Sequence, residues 1–162
     1  MAGVDKIGAC GPLRFKPLKE RALRVMVIVK ATKDSEAGVL PSTELLTEMG
    51  RFNEELVKAG VLLSAEGLRA SAHGVRVRFG AGKSTVIDGP FTETKELIAG
   101  FWLWQVKSIE EAIEWIRRSP FRKGSEEVEI RPVFEADDFG ENLTPELRAR
   151  QADRSARLAA KT

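Results

Sequence analysis

The chain of 162 residues contains segments with a period-two apolar pattern and segments with a helical one. A dense, β-branched apolar run at residues 23–29 predicts a strand that is buried on both faces. Residues 98–106 are apolar on both faces and hold two of the three tryptophans, so they predict the central strand of a sheet. The other predicted strands are residues 61–67, residues 75–79 paired with 85–87 in a hairpin, and residues 128–134.

Three helices are predicted between and after these strands. The first begins at Ser42, a favourable N-cap, and its apolar residues recur three or four positions apart. The second begins at Ser108, which is expected to form a capping box with Glu111. The third is a terminal helix that begins at Thr144, whereas residues 30–40 are expected to form a loop.

The order of these elements predicts an α+β fold with a ferredoxin-like antiparallel sheet and both of its helices on one face. Such a sheet leaves its other face uncovered. Because the strands at 23–29 and 98–106 are apolar on both sides, that face would expose a large hydrophobic patch. We therefore expect a homodimer in which the sheets of two copies pack against each other.

Composition restricts the class of protein further. Hydrophobic residues make up 43% and charged residues 31%, which is typical of a globular domain rather than a disordered chain. Cys10 and His73 are the single residues of their types, which excludes an internal disulfide and a multi-cysteine or His-rich metal centre. We therefore expect no bound metal. We also expect no membrane span, because no apolar run reaches about 18 residues. No signal peptide is apparent, so we expect a cytoplasmic protein.

The near-neutral net charge of +2 hides an uneven distribution. Residues 1–24 carry six basic and two acidic side chains, and residues 144–162 carry five basic and two acidic ones. Residues 25–143 carry 15 basic and 20 acidic side chains, so two basic arms flank an acidic body. The arms either contact polyanions or pair with an acidic body. They lack interleaved aromatic residues, which argues against a nucleic-acid partner.

The composition along the chain predicts three parts. Residues 1–22 are expected to be a flexible basic leader with several glycines and prolines. Residues 23–135 are expected to form the folded domain, and residues 136–162 an extension that contains the terminal helix.

One segment resembles the signature of a known family. Residues 88–96, with the sequence DGPFTETKE, are similar to the signature of the DGPF branch of YCII-related (YciI-like) proteins. The similarity extends from Leu23 to Phe134 and includes the segments FNEEL at 52–56, AGV at 59–61, EGL at 66–68, GFW at 100–102 and EIRPV at 129–133.

The resemblance implies both a fold and a range of functions. It implies a dimeric α+β barrel of ferredoxin-like subunits, with a pocket for a small molecule between the sheet and a helix. One branch of the family is similar to dehydrochlorinase- or isomerase-type enzymes that act on aromatic-derived lactones and hydroquinones. DGPF proteins also occur beside alternative sigma factors, which suggests a regulatory or ligand-sensing role.

Asp88 is the candidate catalytic residue. It matches the aspartate of the site proposed for the family, where that aspartate is paired with a histidine on the first helix. The histidine does not carry over, because alignment on Ala59-Gly60 places Met49 at its position. Asp88 either acts as a general base at the end of a strand or hydrogen-bonds the backbone of its own Gly-Pro turn.

Six further residues are candidates for contact with a ligand. Lys95 or Arg51 would polarise or orient a substrate, and Glu66 would form a carboxylate pair with Asp88; the alternative for each is a solvated surface position. His73 lies in a polar connection and would either reach the pocket or stay at the surface. The full set is Glu66, Phe91, Glu93, Lys95, Arg51 and His73.

Two other motifs have structural and functional interpretations. The segment GAGKS at 80–84 lacks the spacing of a phosphate-binding loop and lies inside a hairpin, so it is expected to be a turn. Trp102 and Trp104 share one sheet face, where they belong to the core or an interface, or line an aromatic-binding pocket.

The sequence thus favours a homodimer that binds a small organic molecule near the Asp88 turn. If the protein is an enzyme, cofactor-free proton transfer such as an isomerisation or elimination is expected. The alternative is a non-catalytic ligand-sensing or regulatory dimer module linked to transcription, in which the basic arms take part in signalling.

Overall fold

The computed structural model describes residues 22–92, 96–121, 124 and 126–161. The strands are β1 (Leu23–Lys30), β2 (Leu62–Gly67), β3 (Val75–Gly80), β4 (Lys83–Asp88), β5 (Ile98–Val106) and β6 (Val128–Pro132). The helices are α1 (Lys33–Glu36), α2 (Thr43–Lys58), α3 (Ile109–Arg117) and α4 (Pro145–Ala159). Two 3-10 segments, Ser71–His73 and Ala136–Asn142, lie between them.

Four strands form an antiparallel sheet in the order β2-β5-β1-β6. With α2 between β1 and β2 and α3 between β5 and β6, this is the β-α-β-β-α-β arrangement of a ferredoxin-like α+β fold. The predicted fold class is therefore confirmed. The prediction that residues 98–106 form a central strand is confirmed too, because β5 lies between β2 and β1.

The core lies between the sheet and helices α2 and α3. Register places Val27 opposite Trp102 and Val25 opposite Trp104, so these four side chains share one face of the sheet. They pack in one cluster with α2 and α3, in which Leu56 and Trp104 are fully buried. The interpretation of the two tryptophans as core residues is thus confirmed.

The opposite face of the main sheet also carries apolar side chains. Register brings Met26 opposite Leu103 and Ile28 opposite Phe101 on this face. None of the four belongs to the core cluster that α2 and α3 complete, although Ile28 is 9% exposed and the other three are half-buried. We call these four residues the open face.

Side-chain caps begin the three predicted helices. The Ser42 and Thr144 hydroxyl groups accept hydrogen bonds from backbone N–H groups of their helices, as predicted. Ser108 likewise accepts from the Glu111 N–H, at 3.2 Å. The expected reciprocal bond differs, because the Glu111 carboxylate accepts from the N–H of Lys107, one residue before the cap.

The predicted loop at residues 30–40 contains a helical turn. The side chains of Thr32 and Ser35 cap each other's backbone N–H groups and so define α1 over four residues. The last strand is also shorter than predicted. It ends at Pro132, and Phe134 lies beyond it with 69% of its surface exposed.

The β3–β4 hairpin forms where it was predicted, but both of its faces are exposed. Val75, Val77 and Phe79 alternate with arginines, the pattern of a strand with one solvated face, but all six residues of β3 are exposed. Phe79 is 85% exposed, because the hairpin is a separate two-stranded sheet rather than part of the main one. Its turn uses Gly82 at φ 88°, in the left-handed region that glycine tolerates.

The C-terminal helix forms as predicted, with Pro145 in its first turn. None of its residues is buried, and Arg148 forms an ion pair with Asp137 at 2.9 Å. The predicted leader at residues 1–22 lies almost entirely outside the described residues, so the division into three parts stays a prediction. None of the helices in the described part of the chain has the length and apolar character required to cross a membrane.

Candidate functional site

A cavity of about 390 Å³ lies between the start of α2 and one end of the main sheet. Its walls come from α1 and the segment that follows it, from α2, and from the facing ends of β1, β2 and β5. A volume of this size is enough for a small organic molecule. The cavity lies between the sheet and a helix, which is where the resemblance implied a pocket.

The inner wall is apolar and aromatic. Met49 of α2, Trp102 of β5 and Phe121 contribute to it, and the rings of Trp102 and Phe121 lie 6.1 Å apart in an edge-to-face arrangement. The Trp102 indole N–H donates to the Asn53 side-chain oxygen at 2.9 Å. This bond fixes the ring against α2. By contrast, the buried Trp104 indole N–H has no acceptor among the described residues.

A close approach between two backbones shapes the sheet side of the cavity. Gly100 of β5 lies so near β2 that a Cβ on it would be 2.8 Å from the Glu66 carbonyl oxygen. Gly67 lines the cavity beside them. The absence of side chains at both glycines leaves space at this end of the sheet.

Four charged residues line the cavity, namely Lys30, Asp34, Glu66 and Glu126. The Lys30 ammonium lies 2.8 Å from the carboxylate of Glu129 on the neighbouring strand. The hydrogen bond from Lys30 lowers the pKa of Glu129 below its ordinary value. The described charged residues of the cavity are thus three carboxylates and one ammonium that already has a partner.

The mouth of the cavity exposes several large apolar side chains. Val39, Leu40 and Leu46 line it and are 58–84% exposed. Exposed aliphatic residues around an apolar cavity are typical of a surface that a ligand or a partner covers.

Of the candidate residues named from the sequence, Glu66 lies in the cavity. Met49, at the position of the family's histidine, faces the same space. Asp88 does not line the cavity; it ends β4 with an exposed side chain. Arg51, Phe91 and His73 do not line it either.

These other candidates lie in different surroundings. Arg51 is exposed on α2. His73 is exposed in a 3-10 turn, with its Nε2 3.2 Å from a guanidinium nitrogen of Arg69. Glu93 and Lys95 lie outside the described residues. The catalytic and ligand-binding roles of all these residues stay predictions.

The DGPF segment closes the base of the hairpin. The Gly89 N–H donates to the Gly74 carbonyl at 3.0 Å, and the Gly89–Pro90 peptide is cis. A Cβ on Gly89 would lie 1.8 Å from the Ser71 carbonyl oxygen, so only glycine fits here without a shift of the backbone. The Phe91 ring lies under the Arg76 guanidinium at 4.0 Å.

Three parts of the cavity were not predicted from the sequence. The α1 wall was expected to be a loop, and neither Asn53 nor Phe121 was named as a candidate. Asn53 lies four residues after Met49 and three before Leu56, so it shares the apolar side of α2, and a polar residue there signals a hydrogen-bond partner inside the fold.

Comparison with known proteins agrees with this architecture. The family model of the YCII-related domain matches residues 23–137. A protein of Rhizobium meliloti (strain 1021), named uncharacterized protein R00369, is 31% identical over 90 residues, which are 55% of this chain and 73% of that protein. Since the matched residues include every strand of the sheet together with α2 and α3, this chain belongs to the YCII-related family.

Proposed function

We propose that the protein binds a small organic molecule in the cavity between α2 and the sheet. The observation that carries this proposal is the cavity itself, which joins aromatic walls to a few polar groups. Trp102 and Phe121 suit an apolar or aromatic ligand body. The polar groups at the edge, among them Glu66 and Asp34, would orient a polar end of the ligand.

Filling the cavity is expected to weaken ligand binding at least tenfold without unfolding the protein. Met49→Trp places a larger side chain in the cavity, and Val57→Trp on the exposed side of the same helix is the matched control. We use indole as the probe and follow the Trp102 indole N–H in ¹H–¹⁵N spectra. The wild type and Val57→Trp should show a saturable shift, and Met49→Trp at least tenfold weaker binding.

Two results would contradict the proposal. The first is a wild-type protein whose Trp102 signal does not respond to indole. The second is a folded Met49→Trp variant that binds indole as well as the wild type does, because the probe would then lie elsewhere.

If the protein is an enzyme, cofactor-free proton transfer is the reaction class that we propose. Glu66 is the carboxylate named from the sequence that lines the cavity, so it is in a position to exchange a proton with a substrate held there. Asp88 stays a candidate base for a substrate that extends to the hairpin turn, with Lys95 or Arg51 as candidate polarising groups. The alternative is a ligand-sensing module. The exposed apolar side of the hairpin favours this alternative, because it could serve as a contact surface for a partner.

We also propose that two copies pair through the open face, as the apolar pattern of β1 and β5 suggested. Leu103→Glu puts a charge into this face and is expected to convert a dimer into a monomer. Light scattering at micromolar concentration measures the mass, and Leu147→Glu on the exposed α4 is the control. A wild-type monomer would contradict the proposal. The cytoplasmic location and the DGPF branch stay predictions.

A further inference from the structure

We infer that the DGPF turn holds the α1 wall of the cavity in place, with Ser71 and Glu36 as the linking pair. Asp34 and Ser35 of α1 line the cavity, whereas Glu36, the last residue of α1, does not. The inference rests on the proposed ligand binding and adds what positions the site.

Apolar packing does not fix α1. None of its four residues is buried, and the hydrogen bonds of its cap run between Thr32 and Ser35, within the same turn. Val39 and Leu40, which follow α1, are more than half exposed. The position of this wall therefore depends on its connection to β1, where the Ala31 N–H donates to the Leu97 carbonyl at 2.9 Å, and on polar contacts with the rest of the molecule.

Glu36 makes those contacts. Its two carboxylate oxygens each accept from the backbone N–H of Ser71 at 3.2 Å, and one of them also accepts from the Ser71 hydroxyl. The two residues lie 35 positions apart in the chain. Hydrogen bonds to an ionised carboxylate are about twice as strong as those between neutral groups, so these bonds hold the end of α1 against Ser71.

Ser71 is fixed in turn by the DGPF segment. Its hydroxyl oxygen accepts from the backbone N–H of Phe91 at 3.1 Å while the hydroxyl proton is donated to Glu36. Its carbonyl oxygen lies against the Cα of Gly89, where no Cβ could fit. Ser71 thus uses both the donor and the acceptor of its hydroxyl, and alanine at this position loses both.

This link explains how the signature segment serves a cavity that its aspartate does not line. A ligand in contact with the α1 wall binds to those molecules in which the link is formed. Weakening the link lowers the fraction of molecules in which it is formed, and the apparent affinity for the ligand falls by the same factor. Ser71 and Glu36 are positioning residues, since neither lines the cavity.

Ser71→Ala, which removes the hydroxyl bonds, and Glu36→Ala, which removes the acceptor, test the inference. Each is expected to weaken indole binding by about three- to tenfold and to speed amide exchange at residues 33–37. Because Glu36→Ala removes every hydrogen bond between the two residues, the double variant should be little weaker than Glu36→Ala alone. Ser84→Ala, at the exposed hairpin tip, is the control and should bind as the wild type does.

The outcomes separate this inference from the proposed function. If the wild type does not bind indole, the proposed function fails, and amide exchange alone decides whether the link holds α1. The inference is overturned if Ser71→Ala leaves the exchange of α1 unchanged. It is also overturned if the effects of the two single variants multiply in the double variant, because independent sites behave in that way.

Discussion

Replacement of Gly89 by alanine is expected to free the hairpin from the rest of the molecule. The new Cβ would lie 1.8 Å from the Ser71 carbonyl oxygen and 2.7 Å from its carbon, and backbone atoms cannot rotate away. Overpacking of this kind costs about 3 kcal/mol. Because the hairpin lies outside the main sheet, the cost should appear as local opening rather than global unfolding.

Amide hydrogen exchange measures this effect. Protection in residues 75–88 should fall about 100-fold in Gly89→Ala, while the central strands keep their protection. Asp88→Ala is the adjacent control, because its exposed carboxylate has no hydrogen-bond or ion-pair partner among the described residues. Equal protection of the hairpin in wild type and Gly89→Ala would show that the turn accommodates a side chain.

The same Asp88→Ala protein examines the proposed role of that carboxylate. If it stays folded but loses indole binding or activity, Asp88 belongs to the functional site. If it loses the hairpin, Asp88 is a structural residue of the turn.

Leu56→Ala is expected to cause the largest loss of global stability. Leu56 is fully buried on α2 and belongs to the cluster that joins this helix to the sheet and α3. Truncation of such a residue removes buried apolar surface and leaves a cavity, at a cost of about 2–5 kcal/mol. Urea denaturation should show the transition midpoint at a lower concentration.

Leu46→Ala makes the matched comparison on the same helix. Leu46 is 58% exposed, so its truncation should change the free energy of unfolding by less than about 0.5 kcal/mol. Similar losses in the two variants would mean that α2 does not pack on the sheet through Leu56.

The elements of the main sheet were predicted from the sequence because local patterns determine them. The apolar run of β1 and the capped amphipathic α2 carry their own signals in consecutive residues. The predicted fold class follows from the order of those elements.

The α1 wall and the exposure of the hairpin were not predictable in this way. The cap of α1 between Thr32 and Ser35 is local, but four residues are too few to show a helical period. The contact of Glu36 with Ser71 joins residues that are distant in the chain. Alternation in β3 shows that one face is apolar, but it does not show whether another element covers that face. Phe79 therefore looks the same in the sequence whether it is buried or exposed.

The candidate site, too, was predicted in part. The sequence identified Glu66 and the position of Met49, and both line the cavity. It associated the binding site with Asp88, because the resemblance matches this residue to the aspartate of the site proposed for the family. In the structure, Gly89 and the backbone N–H of Phe91 make the contacts with Ser71, whereas Asp88 is exposed.

The isolation of the hairpin has a consequence for how the protein behaves at high concentration. Among the described strands, β3 and β4 pair with each other alone, so each presents one edge of unpaired backbone groups. Such edges recruit strands of other chains and so promote aggregation. Arg76, Arg78 and Lys83 outnumber Asp88 on these two strands, and an excess of positive charge keeps the edges of neighbouring molecules apart. We therefore expect the basic residues of the hairpin to reduce self-association through its exposed strands.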